Sequence, residues 1–293
     1  MPNTLSILRM NRNQKHNFVY FGTPEVARDT LVKLIEREFV PALVVTSPDA
    51  PRGRGLVLAS SPVKAAALGR AIPVVTPERL DGEAIDAIRA YGCDYAVVVA
   101  YGKIFPEPLI AAFPAGVLNV HYSLLPKYRG ATPLESALLA GDSVAGVTVQ
   151  KMTRELDAGD ILAQETIAVA PSETIRELRP RLISLGATLL ADTLPAFLRG
   201  ELVPTPQDSL HASHTRKLKK EDGLLSLDAP AQENWNKYRA YADTIGTYFF
   251  ENGKRMKITG ASLKDGRFVI ERVIPEGKRE TDYGANRQTK KSG

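Results

Sequence analysis

The chain has 293 residues, of which 44% are hydrophobic and 24% charged, so its composition excludes a disordered, collagen-like or coiled-coil protein. The longest dense apolar run, 95–101, is strand-sized and well short of a bilayer-spanning segment, so we expect no membrane association. The net charge of +5 lies mostly in the last third, where residues 201–293 carry 17 Lys and Arg against 13 Asp and Glu. This excess fits a solvated basic surface and a polyanion-binding surface equally well. A single cysteine, Cys93, excludes an internal disulfide and fits a reducing cytoplasm.

The first part of the chain has the rhythm of a layered α/β domain. Residues 1–17 are polar, lack the apolar segment of a secretory signal, and are predicted to form a disordered extension. Strands are predicted over 18–21, 42–46, 73–76, 95–100, 117–121 and 146–152, and helices over 26–37, 62–70, 82–91 and 174–198. The alternation predicts an α/β catalytic domain over 18–199, with a mainly parallel, Rossmann-like sheet covered on both faces. Ligands of such sheets bind beyond the carboxyl ends of the strands.

A smaller module is predicted after residue 213. Gly200, Pro204 and Pro206 interrupt the α/β pattern, and the range 200–213 is interpreted as a linker. The elements predicted beyond it are a short helix near 234–243 and strands over 247–250, 255–259 and 267–273, with turns at Asn252-Gly253 and Asp265-Gly266. Residues 214–283 are therefore expected to form a C-terminal β module, and residues 284–293 a disordered tail.

Several classes of ligand are disfavoured by the motifs that are missing. The turn Gly22-Thr23-Pro24 lacks the glycine spacing of a dinucleotide-binding turn, and no nucleotide-binding P-loop motif occurs. His211 and His214 lie in a linker-like stretch without cysteine or a suitable acidic partner. We therefore expect both histidines to be solvated and expect no metal site.

Asn119, His121 and Asp157 are the candidate catalytic residues. Asn119 and His121 are two positions apart on a predicted strand, so their side chains point to the same face, where an amide and an imidazole can stabilise an oxyanion. Asp157 follows strand 146–152 in a glycine-bearing loop, where a carboxylate can orient His121 or move a proton. Because no serine or cysteine nucleophile with a base is evident, the three residues indicate acyl-type transfer without a covalent enzyme intermediate. A structural histidine, with Asp157 capping a turn, remains the alternative on pattern alone.

Longer motifs around these residues carry a family resemblance. They are Asn119-Val-His121-Tyr-Ser-Leu-Leu-Pro-Lys-Tyr-Arg129-Gly130-Ala-Thr-Pro133 and Leu156-Asp157-Ala-Gly159-Asp160. Shorter matches are Phe21-Gly-Thr-Pro24, Gly53-Arg54-Gly55, Ser61-Pro-Val-Lys64, Val98-Val-Ala-Tyr101-Gly102, Lys217-Leu218 and Pro275-Glu-Gly277-Lys278. From about residue 18 to residue 278 the chain resembles the folate-dependent formyltransferase family and, in its fuller pattern, the methionyl-tRNA formyltransferases.

The resemblance implies a reaction and a role for each motif. 10-Formyltetrahydrofolate would donate its formyl group to the α-amine of methionine on the initiator tRNA, an early step of translation. Asn119 and His121 would hold the developing oxyanion, while Asp157 would tune His121 and assist proton transfer as the folate N10 leaves. The implied folate-binding residues are Val99, Tyr101, Gly102, Ser123, Leu124, Leu125, Pro126 and Arg129. The implied tRNA-binding residues are Arg54, Lys217, Lys219 and Lys220, beside a C-terminal OB-like barrel. A cytoplasmic monomer without a metal is expected.

The sequence also departs from the family pattern at identifiable positions. Tyr122 stands where the family has a small residue, and it is predicted to narrow the pocket or to stack on the pterin or methionine. Ala158 stands where the family commonly has a threonine, so a hydrogen bond of the Asp157 loop is predicted to be missing. The range 241–246 stands where the family has Phe-Asn-Pro-Trp-Pro, and strands are missing before Gly266, so the barrel is predicted to be abbreviated. Leu56 and its neighbours make the Arg54 loop less basic than the family's loop.

Three other functions remain open from the sequence. An amino-sugar N-formyltransferase would keep Asn119, His121 and Asp157 but would not need the basic module. A non-catalytic RNA-binding relative would not need the three residues. A hydrolase of formyl-folate would use water in place of the amine.

Overall fold

The computed structural model of the chain describes residues 17–52 and 56–283. The predicted extension before residue 17, the predicted tail from 284 and the side chain of Arg54 lie outside the described residues. The chain divides into two compact units, residues 1–119 and 120–293. The domain boundaries expected at 199/200 and 213/214 remain predictions.

The first unit is a parallel α/β layer. Its elements are β1 (Phe18–Gly22), α1 (Glu25–Glu36), β2 (Leu43–Val45), β3 (Ala50–Arg52), β4 (Val57–Ala59), α2 (Pro62–Leu68), β5 (Val74–Val75), α3 (Gly82–Arg89), β6 (Tyr95–Val99), α4 (Glu107–Ile110) and β7 (Gly116–His121), the last two residues of which belong to the second unit. Strands β7, β6, β1, β2 and β5 lie side by side in that order, and each neighbouring pair is parallel. The predicted mainly parallel sheet is confirmed.

Local sequence accounts for these elements. Strands β1, β6 and β7 are buried at every position, which matches their continuous apolar runs and the burial of both faces of a parallel sheet. Helix α1 buries a stripe that includes Ala27, Leu31 and Leu34. The side chains of Ser61 and Asp81 cap α2 and α3 by accepting hydrogen bonds from backbone N–H groups of the first turn.

The second unit begins inside β7 and combines an antiparallel hairpin, helices and a separate β sheet. Its elements are β8 (Arg129–Gly130), α5 (Pro133–Ala140), β9 (Val144–Lys151), β10 (Ile161–Ala168), α6 (Ile175–Leu198), a 3-10 helix (Ser209–His211), β11 (His214–Thr215), a second 3-10 helix (Lys220–Gly223), α7 (Ala231–Tyr241), β12 (Thr247–Glu251), β13 (Lys254–Lys264), β14 (Arg267–Pro275) and β15 (Thr281–Asp282). Strands β9 and β10 pair antiparallel, whereas the short β8 and β11 pair parallel.

Helix α6 corrects one sequence-based expectation. By length and apolar composition alone it could cross a membrane, and it is the one such helix in the described part of the chain. From the sequence we expect no apolar segment long enough to cross a bilayer. That expectation missed this helix because Asp192 and two prolines interrupt the apolar pattern. Nevertheless, 44% of its apolar window is buried within the protein, and Leu178, Leu182 and Leu190 are almost fully enclosed. A core helix of a globular domain has the same properties, so the helix by itself is a weak indication of a membrane span.

The last four strands form the expected antiparallel module. They lie in the order β12, β13, β14 and β15 around a core of Leu225, Phe249, Met256, Ile258 and Val273. The turn pairs Asn252-Gly253 and Asp265-Gly266 all have left-handed backbone, with φ of 51°, 74°, 48° and 69°, as tight hairpins of this type require. The two predicted hairpin turns are confirmed. Among the described strands no pairing joins β15 to β12, so the sheet is an open meander, and the abbreviated barrel stays a prediction.

Several elements were not anticipated from the sequence. They include the β3–β4 hairpin, the helices α4 and α5, and the strands β8, β10, β11 and β15. Strand β10 has no buried position, so its sequence lacks the apolar run that marks β6 or β7. The range predicted as a linker is also tied down locally, because Thr205 and Ile161 exchange two backbone hydrogen bonds of 2.8 Å.

Candidate active site

Strand β7 carries the first two candidate residues at its carboxyl end. Asn119 is 8% exposed and His121 is 5% exposed, so both polar side chains are buried at the end of an otherwise apolar strand. Because side chains alternate along a strand, the two residues project from the same face. A buried amide and a buried imidazole side by side are uncommon in a purely structural strand end.

The imidazole of His121 lies between two protein oxygen atoms. Its Nε2 is 3.0 Å from the backbone carbonyl oxygen of Tyr128, and its Nδ1 is 3.6 Å from Oδ1 of Asp157. The first distance is that of a hydrogen bond and the second is slightly longer than one. The expected pairing of His121 with Asp157 therefore exists as a close approach, and the ring orientation is fixed by the Tyr128 carbonyl.

Asp157 is held by neutral donors on both carboxylate oxygens. Oδ2 accepts a hydrogen bond of 2.8 Å from the backbone N–H of Gly130, and Oδ1 accepts one of 3.2 Å from Nε2 of Gln150. The carboxylate is 10% exposed. It is thus oriented toward His121 by a strand residue and by the loop that follows β7.

Two non-glycine residues with left-handed backbone flank the imidazole. Tyr128 has φ of 63° and Asp157 has φ of 50°, conformations that cost about 1–3 kcal/mol each when the surroundings enforce them. Tyr128 is held by a 2.9 Å bond from its N–H to Oγ of Ser213 and by a 2.8 Å bond from its hydroxyl to Oδ2 of Asp142. Burial and the bond to Asp142 raise the pKa of the Tyr128 phenol. Strained backbone of this kind commonly marks a functional site.

The loop implied to bind folate is rigidly held in the second unit. Ser123 Oγ donates to the carbonyl of Lys127 at 2.6 Å, and Thr148 Oγ1 donates to the carbonyl of Ser123 at 2.7 Å. Gln164 Nε2 donates to the carbonyl of Leu125 at 2.7 Å. A cavity of about 200 Å³ borders this loop and is lined by Ser123, Leu124 and Lys127 together with residues of α5, β9 and α6, but not by His121 or Asp157. The roles of Ser123, Leu124, Leu125 and Pro126 stay predictions.

Arg129 has a different environment from the one its implied folate role suggests. Its guanidinium is 3% exposed and donates two hydrogen bonds, of 3.1 and 2.8 Å, to Oε1 of Gln207. Its nearest carboxylate, that of Glu155, is 3.8 Å away and mostly exposed. Both bonds come from Nε and Nη2, so Nη1 is not bonded to Gln207, and the folate-binding role of Arg129 stays a prediction.

Gln207 is the site residue that sequence reasoning missed. It lies in the range interpreted as a linker, and its Nε2 donates to the carbonyl oxygens of Asp157 and Gly159 at 2.8 and 2.7 Å. These bonds hold the loop in which Ala158 replaces the family's threonine. No local pattern distinguishes Gln207, because it sits between Pro206 and Asp208 in a polar stretch.

Tyr122 faces the other side of β7. It is 5% exposed, and a Cβ added to Gly186 of α6 would lie 3.1 Å from its ring. Since its neighbour His121 points to the opposite face, the Tyr122 ring packs on α6 rather than beside the imidazole. Tyr122 also lines the cavity of about 200 Å³ that borders the loop implied to bind folate, so its narrowing of the pocket or its stacking on the pterin or methionine stays a prediction.

The first unit contains the remaining residues implied to bind folate. Val99 and Tyr101 are buried and Gly102 is exposed with φ of 82°. The Tyr101 ring packs edge-on against Phe21 at a centroid distance of 5.4 Å, and burial raises the pKa of its phenol to about 12. Within the described residues its hydroxyl has no hydrogen-bond partner, whereas its carbonyl accepts from Thr23.

The three lysines implied to bind tRNA lie on the surface of the second unit. Lys217, Lys219 and Lys220 are exposed, and their segment is fixed by a bidentate pair of Arg216 with Asp222 at 2.6 and 2.8 Å. The hydrogen bonds from Arg216 and from the backbone N–H of Lys219 lower the pKa of Asp222 to about 2. This places three exposed ammonium groups on an ordered backbone.

The two remaining histidines lie outside this arrangement. His211 is 76% exposed on its side chain and contacts Asp208 at 2.8 Å, and His214 is exposed. Across 17–52 and 56–283, no group of three or more His, Cys, Asp and Glu side chains has the geometry of a metal site.

Comparison with known proteins identifies the family. Residues 15–194 match the model of the formyl transferase family, and residues 217–282 match the model of the formyl transferase C-terminal domain. The methionyl-tRNA formyltransferase of Heliobacterium modesticaldum is 41% identical over 84% of this chain and 78% of its own length. That of Geotalea daltonii is 39% identical over 92% of this chain and 84% of its own length.

Solved structures of low sequence identity share the fold. The methionyl-tRNA formyltransferase from Clostridium thermocellum is 15% identical, with a TM-score of 0.59 over 91% of this chain and 99% of that chain. An N-formyltransferase from Helicobacter canadensis in complex with folinic acid and dTDP-3-aminofucose is 18% identical, with a TM-score of 0.65 over 85% of this chain and 88% of that chain. At these identities the likeness concerns the fold alone. The two family models and the relatives near 40% identity together show that this chain belongs to the formyl transferase family.

Proposed function

We propose that the protein transfers the formyl group of 10-formyltetrahydrofolate to the α-amino group of methionyl-tRNA, with the initiator tRNA as acceptor. The observation that carries this proposal is the identity of 38–41% with proteins named methionyl-tRNA formyltransferase, over 82–92% of the chain. That similarity is accompanied by a match to the family's C-terminal domain. The product is the formylated methionyl-tRNA with which translation begins.

The buried polar groups at the end of β7 suit this acyl transfer. The amine attacks the formyl carbon, the bond from that carbon to N10 of the folate breaks, the amine loses one proton and N10 gains one. The Asn119 amide donates to the oxyanion that develops on the formyl oxygen. His121 donates to the same oxyanion, and Asp157 tunes the imidazole and assists proton transfer as N10 leaves.

Binding of the substrates must change one contact of His121. Nε2 of the imidazole faces the Tyr128 carbonyl at 3.0 Å, so this nitrogen reaches a substrate atom only when that hydrogen bond is exchanged. Interactions that strengthen in the transition state are the ones that accelerate a reaction. The exchange thus couples correct placement of the formyl group to the release of the imidazole from the Tyr128 carbonyl.

The residues that would contact the formyl donor, a folate, and the formyl acceptor, a tRNA, are those that the family resemblance names. The end of β6, with Val99, Tyr101 and Gly102, and the loop 123–126 would contact the folate. Similar folds have been solved with folinic acid, 5-N-formyl-THF and tetrahydrofolic acid, which supports a folate in this role. Arg54 and the exposed Lys217, Lys219 and Lys220 would contact tRNA phosphates, an electrostatic interaction that weakens with salt.

The cellular setting follows from the same assignment. We expect a cytoplasmic protein, since the acceptor is a tRNA and a single cysteine fits a reducing compartment, and we expect it to be a monomer. Sedimentation analysis of the purified protein tests the monomer. A dimer at micromolar concentration would contradict it.

A comparison of acceptors tests the function. The purified protein is incubated with 10-formyltetrahydrofolate and, separately, charged initiator tRNA, charged elongator methionyl-tRNA, nucleotide-linked amino sugars, or buffer, and mass spectrometry follows the formyl group. Rapid formylation of the initiator species alone supports the proposal. Formylation of a sugar would reassign the acceptor, and folate turnover without any acceptor would indicate a hydrolase.

A further inference from the structure

We infer that Gln207 is a positioning residue of the formyl transfer, acting through the Asp157 loop and Arg129. The inference rests on the proposed function, because it assigns Gln207 a part in the same reaction. Gln207 lies 50 residues after Asp157 and 78 residues after Arg129 in the chain, yet its side chain joins the segments that hold both partners of His121.

One primary amide makes all of these contacts. Its Oε1 accepts two hydrogen bonds from the Arg129 guanidinium, and its Nε2 donates to the carbonyl oxygens of Asp157 and Gly159. The amide oxygen therefore acts as an acceptor and the amide NH2 group as a donor, which is the only role that each can take. A carboxylate would face two carbonyl oxygens with no hydrogen to donate, and an alkyl group would leave the buried guanidinium without its main acceptor.

The two contacted segments converge on the imidazole. Arg129 directly follows Tyr128, whose carbonyl oxygen accepts a hydrogen bond from Nε2 of His121. Gly130, the next residue, donates its backbone N–H to the Asp157 carboxylate. On the other side, the bond from Nε2 of Gln207 fixes the main chain of Asp157 itself. Gln207 thus ties together the groups on both sides of the His121 ring without touching it.

The backbone around Gln207 is anchored on both sides. Two positions before it, Thr205 exchanges two backbone hydrogen bonds with Ile161, just beyond the Asp157 loop. Six positions after it, the carbonyl of Ser213 accepts the N–H of Arg129 at 2.8 Å. The segment 205–213 is therefore held at both ends to the strands beside the candidate site, and it supplies the amide that bonds the site's loops.

Kinetics of two Gln207 variants test this role. We expect Gln207→Leu to lower kcat for initiator methionyl-tRNA by roughly 10- to 100-fold, since a displacement of about 1 Å of a catalytic group costs up to about 100-fold. The KM for tRNA is expected to change by less than about threefold, because the bonds of Gln207 go to Arg129, Asp157 and Gly159 and not to Lys217, Lys219 or Lys220. Gln207→Glu is the second variant, in case Gln207→Leu does not fold. It matches glutamine in size and keeps an acceptor for Arg129, so its kcat reports the loss of the two hydrogen bonds donated to the carbonyl oxygens of Asp157 and Gly159. Leu210→Ala is the control, because this side chain in the same segment is 93% exposed.

A double-mutant cycle separates positioning from a general loss of stability. If Gln207 acts through Asp157, then Gln207→Leu added to Asp157→Asn lowers kcat by less than about threefold beyond Asp157→Asn alone. A further 10- to 100-fold loss in the double variant would overturn the inference. So would folded Gln207 variants with the kcat of the unmodified protein. If the unmodified protein formylates no tRNA, the proposed function fails before the cycle is measured, which keeps the two failures distinct.

Discussion

The cluster around His121 and the C-terminal meander β12–β15 belong to the same unit and are built in opposite ways. In the cluster, polar side chains are buried and their partners lie far apart in the chain, such as Arg129 and Gln207, which are 78 residues apart. In the meander, two-residue turns join β12 to β13 and β13 to β14, residues 276–280 lead to β15, and the sheet packs over an apolar core. The difference teaches that the site depends on a few long-range polar contacts, whereas the meander depends on local turns and apolar burial.

The two regions also place backbone strain differently. In the meander, left-handed backbone falls on Asn-Gly and Asp-Gly pairs, which adopt it at little cost. In the cluster it falls on Asp157 and also on Tyr128, a bulky residue for which it is unfavourable. We therefore expect substitutions in the cluster to change the chemistry most and substitutions in the meander to change stability or tRNA affinity.

The largest effect is expected at Asp157. Asp157→Asn removes the negative charge facing Nδ1 of His121 while nearly preserving side-chain size, and kcat is expected to fall by about 10²- to 10⁴-fold. Single-turnover formylation with saturating folate and tRNA measures this effect. A folded variant with an unchanged rate would remove Asp157 from the mechanism.

Two glycine substitutions compare the rigidity of the two regions. Gly130 has φ of 116°, and a Cβ there would overlap the Thr215 carbonyl oxygen, so Gly130→Ala is expected to lower the free energy of unfolding by about 3 kcal/mol or more. Gly266 has φ of 69° with open space around it, so Gly266→Ala is expected to cost only about 1–2 kcal/mol. Urea denaturation measures both values. Equal losses would contradict the contrast.

Neighbouring phenylalanines of β12 test what stabilises the meander. Phe249 is 2% exposed within its core, and Phe249→Ala is expected to lower the free energy of unfolding by about 3–5 kcal/mol. Phe250 is 58% exposed, and Phe250→Ala is expected to cost less than about 1 kcal/mol. Thermal and urea unfolding of the two variants check the difference, and a large loss at Phe250 would show that its face is covered.

The smallest effect is expected from the exposed lysines, and it appears mainly as a change in salt dependence. Replacing Lys217, Lys219 and Lys220 with alanine is expected to reduce the slope of log K against log salt for tRNA binding by about 0.9 for each phosphate that is no longer neutralised. The kcat at saturating tRNA is expected to remain within about threefold. Lys33→Ala on α1 is the control for loss of charge, and a slope unchanged in the triple variant would remove these lysines from the tRNA surface.

Much of the architecture followed from local sequence. Continuous apolar runs predicted β1, β6 and β7, and Thr174 followed by Glu177 forms the capping box that begins α6. The Asn-Gly and Asp-Gly pairs predicted the turns of the meander because those residues adopt left-handed backbone readily. Strand β10 and helix α5 could not be found in this way, since β10 has no buried position and α5 follows directly on a motif rich in polar groups.

The sequence by itself determined the family to which the chain belongs, because the motifs around Asn119, His121 and Asp157 are local in sequence and specific in residue type. Tertiary structure alone decided how these groups are arranged. It enclosed the Arg129 guanidinium and brought Gln207 from a supposed linker into the site. These outcomes depend on hydrogen bonds between buried groups more than 40 residues apart, and no periodicity or turn signal in the sequence encodes such pairs.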